Sequence, residues 1–349
     1  MMLKNLFAGT AVGVTLALGL AGPGRGGEVL PLGAPPAQAR VVIVEDTNAT
    51  VAYEAQPEIV QRMLDRVMLK FAGKDDLGQA WRTVVATQDV VGIKVFCAPG
   101  PISGTRPAVV EGVIRGLLAA GLPPRNIIVW DRKLAEVRMA YEGLAQKYNV
   151  RLAGSALSGY DEKTTPYDNP IMGELEAGDL EFDMKSAKTG RKSYVSKLLT
   201  GGMTKIITVT PLLNHNLAGV TGHLFSLAMG SVDNMHRFEI DAGRLSTAVP
   251  EIYALPSLSD HVVLSITDAL IGQYQGESDP MLHYSTPVNQ LWVSKDAVAL
   301  DVLAIQELDR EREAHKITGV NTNLELYHNA SLLELGVSDP AKVKIDLVK

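Results

Sequence analysis

The sequence predicts an α/β fold: a doubly wound, mainly parallel sheet flanked by helices, in one domain or two lobes. Three observations carry this expectation. Short aliphatic, β-branched runs alternate with segments of helical periodicity along the 349 residues, the pattern of a parallel sheet covered on both faces. One stretch has strand, loop, helix and strand at the lengths of a right-handed crossover. The composition is that of a globular chain with an aliphatic core, with 46% hydrophobic, 21% charged and only 5% aromatic residues, so aliphatic side chains must fill the interior.

The elements follow in order. Residues 41–45 read as a buried strand. Pro57 opens a helix whose apolar positions (Ile59, Val60, Met63, Leu64, Val67, Met68, Phe71) recur at helical spacing, and Gly73 stops it. A short helix near 77–84 leads to a strand over 90–96. Thr105-Arg106-Pro107 starts a helix carrying Val109, Val110, Val113, Ile114, Leu117 and Leu118, and Gly121 ends it. A strand over 126–130 then completes the crossover, with Asp131 at its end. A helix over 134–147 and a short strand near 150–152 follow. Residues 154–200 lack periodicity and are rich in Gly, Asp, Lys and Thr, so they read as an irregular excursion with a hairpin. Strands at 205–210, 262–266 and 290–293, helices at 297–308 and 324–335, and a strand at 343–347 close the chain.

Residues 1–39 read as a signal peptide. Lys4 supplies a basic start, and Leu6 to Ala21 is an uncharged, mostly apolar run of 16 residues, short of the ~20 a membrane helix needs. A Gly- and Pro-rich stretch leads to Ala37-Gln38-Ala39, an A-x-A cleavage pattern. No Arg-Arg pair precedes the apolar run, which favours the general secretory route; the alternative is an uncleaved anchor. The expectation is a periplasmic or extracellular protein, free of the membrane once cleaved, with residues 40–349 as a single α/β domain.

The net charge of −6 argues against a nucleic-acid partner, since phosphate binding needs clustered Lys and Arg. The densest basic stretch, Lys185 to Lys197, adjoins Glu174, Glu176, Asp179, Glu181 and Asp183 and reads as a mixed-charge surface. Cys97 is the only cysteine. It excludes an intramolecular disulfide and a cysteine-held iron–sulfur cluster, and it reads as a buried thiol at a strand end or as a reactive or ligand group.

In doubly wound sheets ligands bind beyond the carboxyl ends of the strands. Three such ends carry polar groups. The first is the loop from Cys97 through Ser103-Gly104-Thr105-Arg106-Pro107, where Arg106 and Lys94 could hold an anionic substrate; a plain helix start with a surface arginine is the alternative. The second follows 205–210 and contains Asn214, His215, Asn216, Thr221, His223, Asp233, Asn234, His236 and Arg237. His215, His223 and His236 are candidate ligands of a divalent metal, with His215 as ligand or general base and Thr221 as a substrate contact, although no standard zinc spacing is present. The third is Asp268 with the Gly272 and Gly276-Glu277 loop. Asp301 lies within an apolar helix, where burial demands a partner: water, a ligand, a backbone donor or a cation. Asp296 reads as that helix's N-cap.

These segments resemble the domain of unknown function 362 family. The likeness rests on Asp89-Val90-Val91-Gly92-Ile93-Lys94 and the Gly104-Thr105-Arg106-Pro107 helix start. It rests also on Asn214 to Gly222, Ile266-Thr267-Asp268-Ala269-Leu270 and Val298-Ala299-Leu300-Asp301. Many relatives carry Asn after the lysine strand, where this chain has Val95-Phe96-Cys97, and a cysteine-rich ferredoxin segment that this chain lacks. The resemblance therefore implies no iron–sulfur electron transfer here. The Thr105-Arg106-Pro107 start and the next strand also look distantly like lactate racemase, which implies a nickel-cofactor enzyme using histidines.

Three functions compete. One is an extracytoplasmic enzyme using a divalent metal or other cofactor on a small anionic substrate, with His215, Asp268 and Asp301 as catalytic residues or orienters. Another is a non-catalytic periplasmic binding protein for a small ligand. The third is a partner-binding protein that uses residues 154–200. Convergence of His215, Asp268 and Asp301 in one cleft discriminates between them, because catalysis needs geometry first.

Overall fold

The computed structural model describes residues 38–348 except 186, 187, 277, 278, 319, 321 and 323. The expected signal peptide, Gln38 and Ala39 apart, falls outside the described residues. The framework contains the strands β1 (Ala39–Glu45), β2 (Val91–Lys94), β3 (Ile127–Asp131), β4 (Arg151–Gly154), β5 (Tyr167–Glu174), β6 (Thr189–Ser193), β7 (Lys205–His215), β8 (Gly219–Val220), β9 (Val262–Gln273), β10 (Ser285–Ser294) and β11 (Val343–Val348). Its main helices are α1 (Pro57–Ala72), α2 (Pro107–Ala119), α3 (Leu134–Tyr148), α4 (His223–Ser231), α5 (Ala242–Tyr253), α6 (Ala297–Ala314) and α7 (Glu325–Leu332).

The central nine-stranded sheet runs β11-β1-β10-β9-β7-β2-β3-β4, with β8 paired to the end of β7. The pairs β1/β11, β9/β7, β2/β7, β2/β3 and β3/β4 are parallel; β10 is antiparallel to β1 and β9. The expected doubly wound, mainly parallel sheet is present.

Alternation along the strands divides the core in two. Val42, Val44, Val91, Ile93, Val129, Ile207 and Val209 meet α1, α2 and α3 on one face. Val41, Ile43, Ile128, Trp130 and Ile206 meet α4 to α7 on the other. Both faces are thus covered, as the near-continuous aliphatic strands require. Local signals place the helix ends. Pro57 sits in the first turn of α1, and Gly73 closes it at φ 62, a left-handed conformation that glycine adopts without strain. Asp296 caps α6 by accepting from Ala299 N (2.8 Å).

Three features differ from expectation. Strands β7 and β9 extend to His215 and Gln273, because polar residues that read as loop (Asn214, Asp268) are paired inside the sheet. α4 went unseen because all nine of its residues are buried, which leaves no amphipathic period to detect. α5 went unseen too. The excursion does hold a hairpin, β5 with β6. Buried Arg237 ties it to the body, donating from Nη1 to Ile171 O (2.7 Å) and from Nη2 to Ser193 Oγ (2.9 Å). Among the described residues no helix is long and apolar enough to cross a membrane.

Candidate functional site

The crossovers after β2 and β3 put α2 and α3 on one face, whereas the connection after β7 puts α4 and α5 on the other. The chain therefore reverses direction across the sheet between β2 and β7, and a crevice opens beyond the carboxyl ends of adjacent strands at such a point. A cavity of about 460 Å³ lies there, lined by Phe96 after β2, Asp131, Arg132 and Lys133 at and after β3, His215 and Leu217 at and after β7, and Phe225, Ser226, Met229 and Gly230 of α4. Ala98, Glu136, Glu176, Met235, His236 and Glu239 complete the wall.

Below it lies a buried ion pair. Lys94 is fully buried, and its Nζ donates to Val95 O (2.7 Å), Ser226 Oγ (2.8 Å) and Asp131 Oδ1 (2.9 Å). Asp131 also accepts from Cys97 N (2.7 Å) and Arg132 N (2.8 Å). Three acceptors around one ammonium satisfy its three donors. Gly230 lets the helix lie against this lysine, since a Cβ there would stand 2.5 Å from Lys94 Cε.

Three carboxylates of the lining have a Lys or Arg partner, and the fourth, Glu239, is hydrogen-bonded to His236. Asp131 pairs with Lys94, Glu136 with Lys133 (3.3 Å) and Glu176 with Arg132 (3.3 Å). His236 joins Glu239 at 2.7 Å through Nδ1 and faces Glu176 at 3.4 Å through Nε2. The hydrogen bond to Glu239 raises the His236 pKa against an opposing effect of partial burial. These pairs join the segment after β3, the excursion and the segment after α4 at the crevice mouth.

The structure places the expected residues in separate environments. His215 lines the cavity, but its Nδ1 accepts from Leu217 N (3.2 Å) and Ala218 N (3.1 Å). Two backbone donors on one ring nitrogen fix the neutral tautomer with hydrogen on Nε2. His223 is fully buried beneath the sheet, bonded to Thr208 Oγ1 (2.8 Å) and Thr267 Oγ1 (3.0 Å), and burial pulls its pKa down to about 3. His236 is half exposed at the mouth. The metal set His215, His223 and His236 is therefore not assembled: one nitrogen caps a turn, one ring is sealed among hydroxyls, and one is held by glutamates. Among the described residues no group of three or more His, Cys, Asp or Glu is placed to hold a metal ion.

The trio His215, Asp268 and Asp301 does not converge either. Asp268 is fully buried, accepting from Arg106 N (2.9 Å), Arg106 Nη1 (3.0 Å) and Leu270 N (3.3 Å). That ion pair also consumes the arginine expected to hold substrate. Asp301 accepts from His223 N (2.7 Å) and Leu224 N (3.0 Å) and caps α4; burial raises its pKa to about 7. Gly222, at φ 46, admits this carboxylate, since a Cβ would lie 2.5 Å from its Oδ1. Thr221 is buried, and its N–H donates to Leu213 O (2.8 Å). Cys97 is buried, and burial first, then Asp131, pushes its thiol well above the ordinary range. Of the eight candidates only His215 and His236 reach the cavity, with Lys94 directly behind it. Asp131, Ser226, Arg132, Glu176 and Glu239 were missed as site residues. Asp131 was visible as a strand-end acid, and nothing in the pattern pointed to Ser226.

Residues 91–306 match the family model described as domain of unknown function (DUF362). That span exceeds half of the chain and contains every candidate above, and the chain belongs to this family. No functionally curated protein matches it. A crystal structure of a Thermotoga maritima protein from a structural genomics consortium is similar at 12% identity and a TM-score of 0.38, over 74% of this chain and 59% of that one. This chain thus spans under two thirds of that protein's length. The likeness to lactate racemase gains no support from these matches.

Proposed function

We propose that this chain binds a small organic molecule in the crevice between β2 and β7, with the ligand's apolar body against Phe96, Leu217, Phe225, Met229 and Met235. The observation that carries the reading is the cavity of about 460 Å³ at the reversal point of the sheet, apolar along its walls and polar at floor and mouth. This is the size and lining of a small-molecule site. A divalent-metal enzyme is less well supported, because the histidines expected to ligate the metal are otherwise engaged. Ala98 is exposed and lines the cavity, so Ala98→Trp fills the crevice with little effect on folding. A thermal-shift screen of small carboxylates, amides and alcohols tests the reading. A ligand at 100 times its dissociation constant stabilises by about 2.7 kcal/mol, and Ala98→Trp is expected to abolish that stabilisation. Ligands that stabilise both forms equally would place binding elsewhere.

A second reading makes the same crevice catalytic. His236 is half exposed on the cavity and oriented by Glu239, the arrangement of a general acid–base. In that case His236→Gln loses turnover and retains binding.

We infer from residues 1–39 that binding takes place outside the cytoplasm. Cell fractionation and N-terminal sequencing test this: a mature chain beginning near residue 40 outside the cytoplasm supports it, and a full-length cytoplasmic chain opposes it.

A further inference from the structure

We infer that Ser226 is the anchor for an anionic oxygen of the ligand, a carboxylate or similar group, and that Lys94 acts through it. The inference rests on the crevice reading above and adds the chemical class of the ligand's head.

Ser226 is in the fourth position of α4 and lines the cavity floor. Its oxygen accepts from Lys94 Nζ at 2.8 Å. A helical serine usually gives its own hydrogen to the carbonyl one turn back; Ser158, for example, donates to Gly154 O (2.9 Å). Ser226 makes no such bond, and among the described residues its hydroxyl hydrogen has no protein acceptor. A buried hydroxyl facing a cavity with an unused hydrogen calls for an acceptor there.

Its neighbours define that acceptor. An oxygen that accepts from a cation becomes a stronger donor, because hydrogen bonds in series polarise one another in a low-dielectric site. The polarisation favours a charged acceptor over a neutral one. The carboxylate at the floor, Asp131, is already paired with Lys94, and Glu136 and Glu176 are paired with Lys133 and Arg132, so the floor opposes no anion with an unbalanced charge. Lys94 is a positioning residue: fully buried and satisfied by three acceptors, it reaches the ligand only through Ser226. Gly230 makes this possible, because a Cβ there would meet Lys94 Cε at 2.5 Å and Nζ at 3.1 Å.

The test compares phenylacetate with phenylacetamide, which share shape and differ in charge, by calorimetric or NMR titration at pH 7.5. The variants are Ser226→Ala, Gly230→Ala, Arg132→Ala and Ala98→Trp, each checked for folding by circular dichroism. In the unaltered protein the acid is expected to bind at least tenfold more tightly than the amide. Ser226→Ala and Gly230→Ala are expected to bring the acid down to about the amide's level and to weaken the amide far less. Gly230→Ala moves the ammonium while the hydroxyl stays, so its loss of selectivity reports the lysine's action and not merely the shape of the floor. Equal binding of acid and amide, unaltered by Ser226→Ala, overturns the anchor and leaves the crevice reading standing. A preference for the acid that survives Ser226→Ala and disappears in Arg132→Ala assigns the anion to the mouth and also overturns the anchor. Failure of both probes to bind, or binding that Ala98→Trp does not disturb, overturns the crevice reading and the anchor with it.

Discussion

The two ends of α4 look alike in sequence and behave differently in space. At its start, His223 and Asp301 sit in a closed arrangement. The carboxylate takes two backbone N–H groups, the imidazole is surrounded by threonine hydroxyls, and both side chains are buried. From its fourth residue onward, Ser226 and Gly230 meet Lys94 beside a cavity, and among the described residues one hydroxyl hydrogen lacks an acceptor. Both regions carry the polar residues that suggest chemistry. Only the second has a group left over for a ligand. A buried acid or histidine with all its hydrogen-bonding capacity used is part of the scaffold.

Breaking the closed side is expected to have the largest effect. The Asp268–Arg106 ion pair is a separate closed arrangement of the same kind, buried at 0% and 5% exposure. Asp268→Asn leaves a buried guanidinium without its charge partner and is expected to lower stability by about 3–5 kcal/mol in urea denaturation, with no selective loss of ligand binding beyond that due to unfolding.

Next comes the cap itself. Asp301→Asn disturbs the acceptors of two helix-start donors and is expected to lower stability by roughly 1–3 kcal/mol. Its pH dependence separates it from His223. Burial holds the Asp301 pKa at about 7, above its ordinary 3.8. The native state therefore holds more protons than the unfolded state between those values, so this residue's contribution is present at low pH and is lost as pH rises toward 7. His223 has the opposite sign. Its folded value of about 3 lies below the ordinary 6.5, so its contribution is present above 6.5 and is lost as pH falls toward 3. Urea titrations between pH 4.5 and 7 are expected to show stability gaining a more positive pH slope in Asp301→Asn and a more negative one in His223→Gln. Slopes unchanged from the parent in both would refute the closed arrangement.

On the open side, Ser226→Ala removes one acceptor from Lys94 and is expected to cost about 1 kcal/mol, while acid binding falls at least tenfold. The smallest effect belongs to His236→Gln at the mouth. His236 is half exposed, and solvent screening limits such pairs, so the stability change is expected to stay within about 0.5 kcal/mol.

Much of the framework was legible in the chain, and the site only in part. The crossover from β2 through α2 to β3 declared itself because aliphatic runs, a Pro at a helix start and a Gly at its stop are local signals. Asp296 was legible as a cap for the same reason. Asp301 was legible as a residue needing a partner, although the partner, the start of α4, lies 77 and 78 residues away in the chain. The site was harder because α4 is buried on all sides and has no hydrophobic period. Ser226 gains its significance from Lys94, 132 residues distant. Clustering of His215, His223 and His236 along the chain misled, since the strand end and helix between them turn the three rings into separate surroundings. Lys94 was expected to hold an anionic substrate directly, but it is fully buried, and in the proposed anchor its reach toward a ligand passes through Ser226.

The most direct measurement uses the two faces of the sheet as each other's control. Met229 and Met235 line the crevice, whereas Met63 and Met68 of α1 are buried on the opposite face. In protein labelled at methionine methyl groups and titrated with phenylacetate, the Met229 and Met235 signals are expected to shift in a saturable way while Met63 and Met68 stay still. Saturable shifts at Met63 and Met68 with Met229 and Met235 unmoved would contradict a ligand site in the crevice.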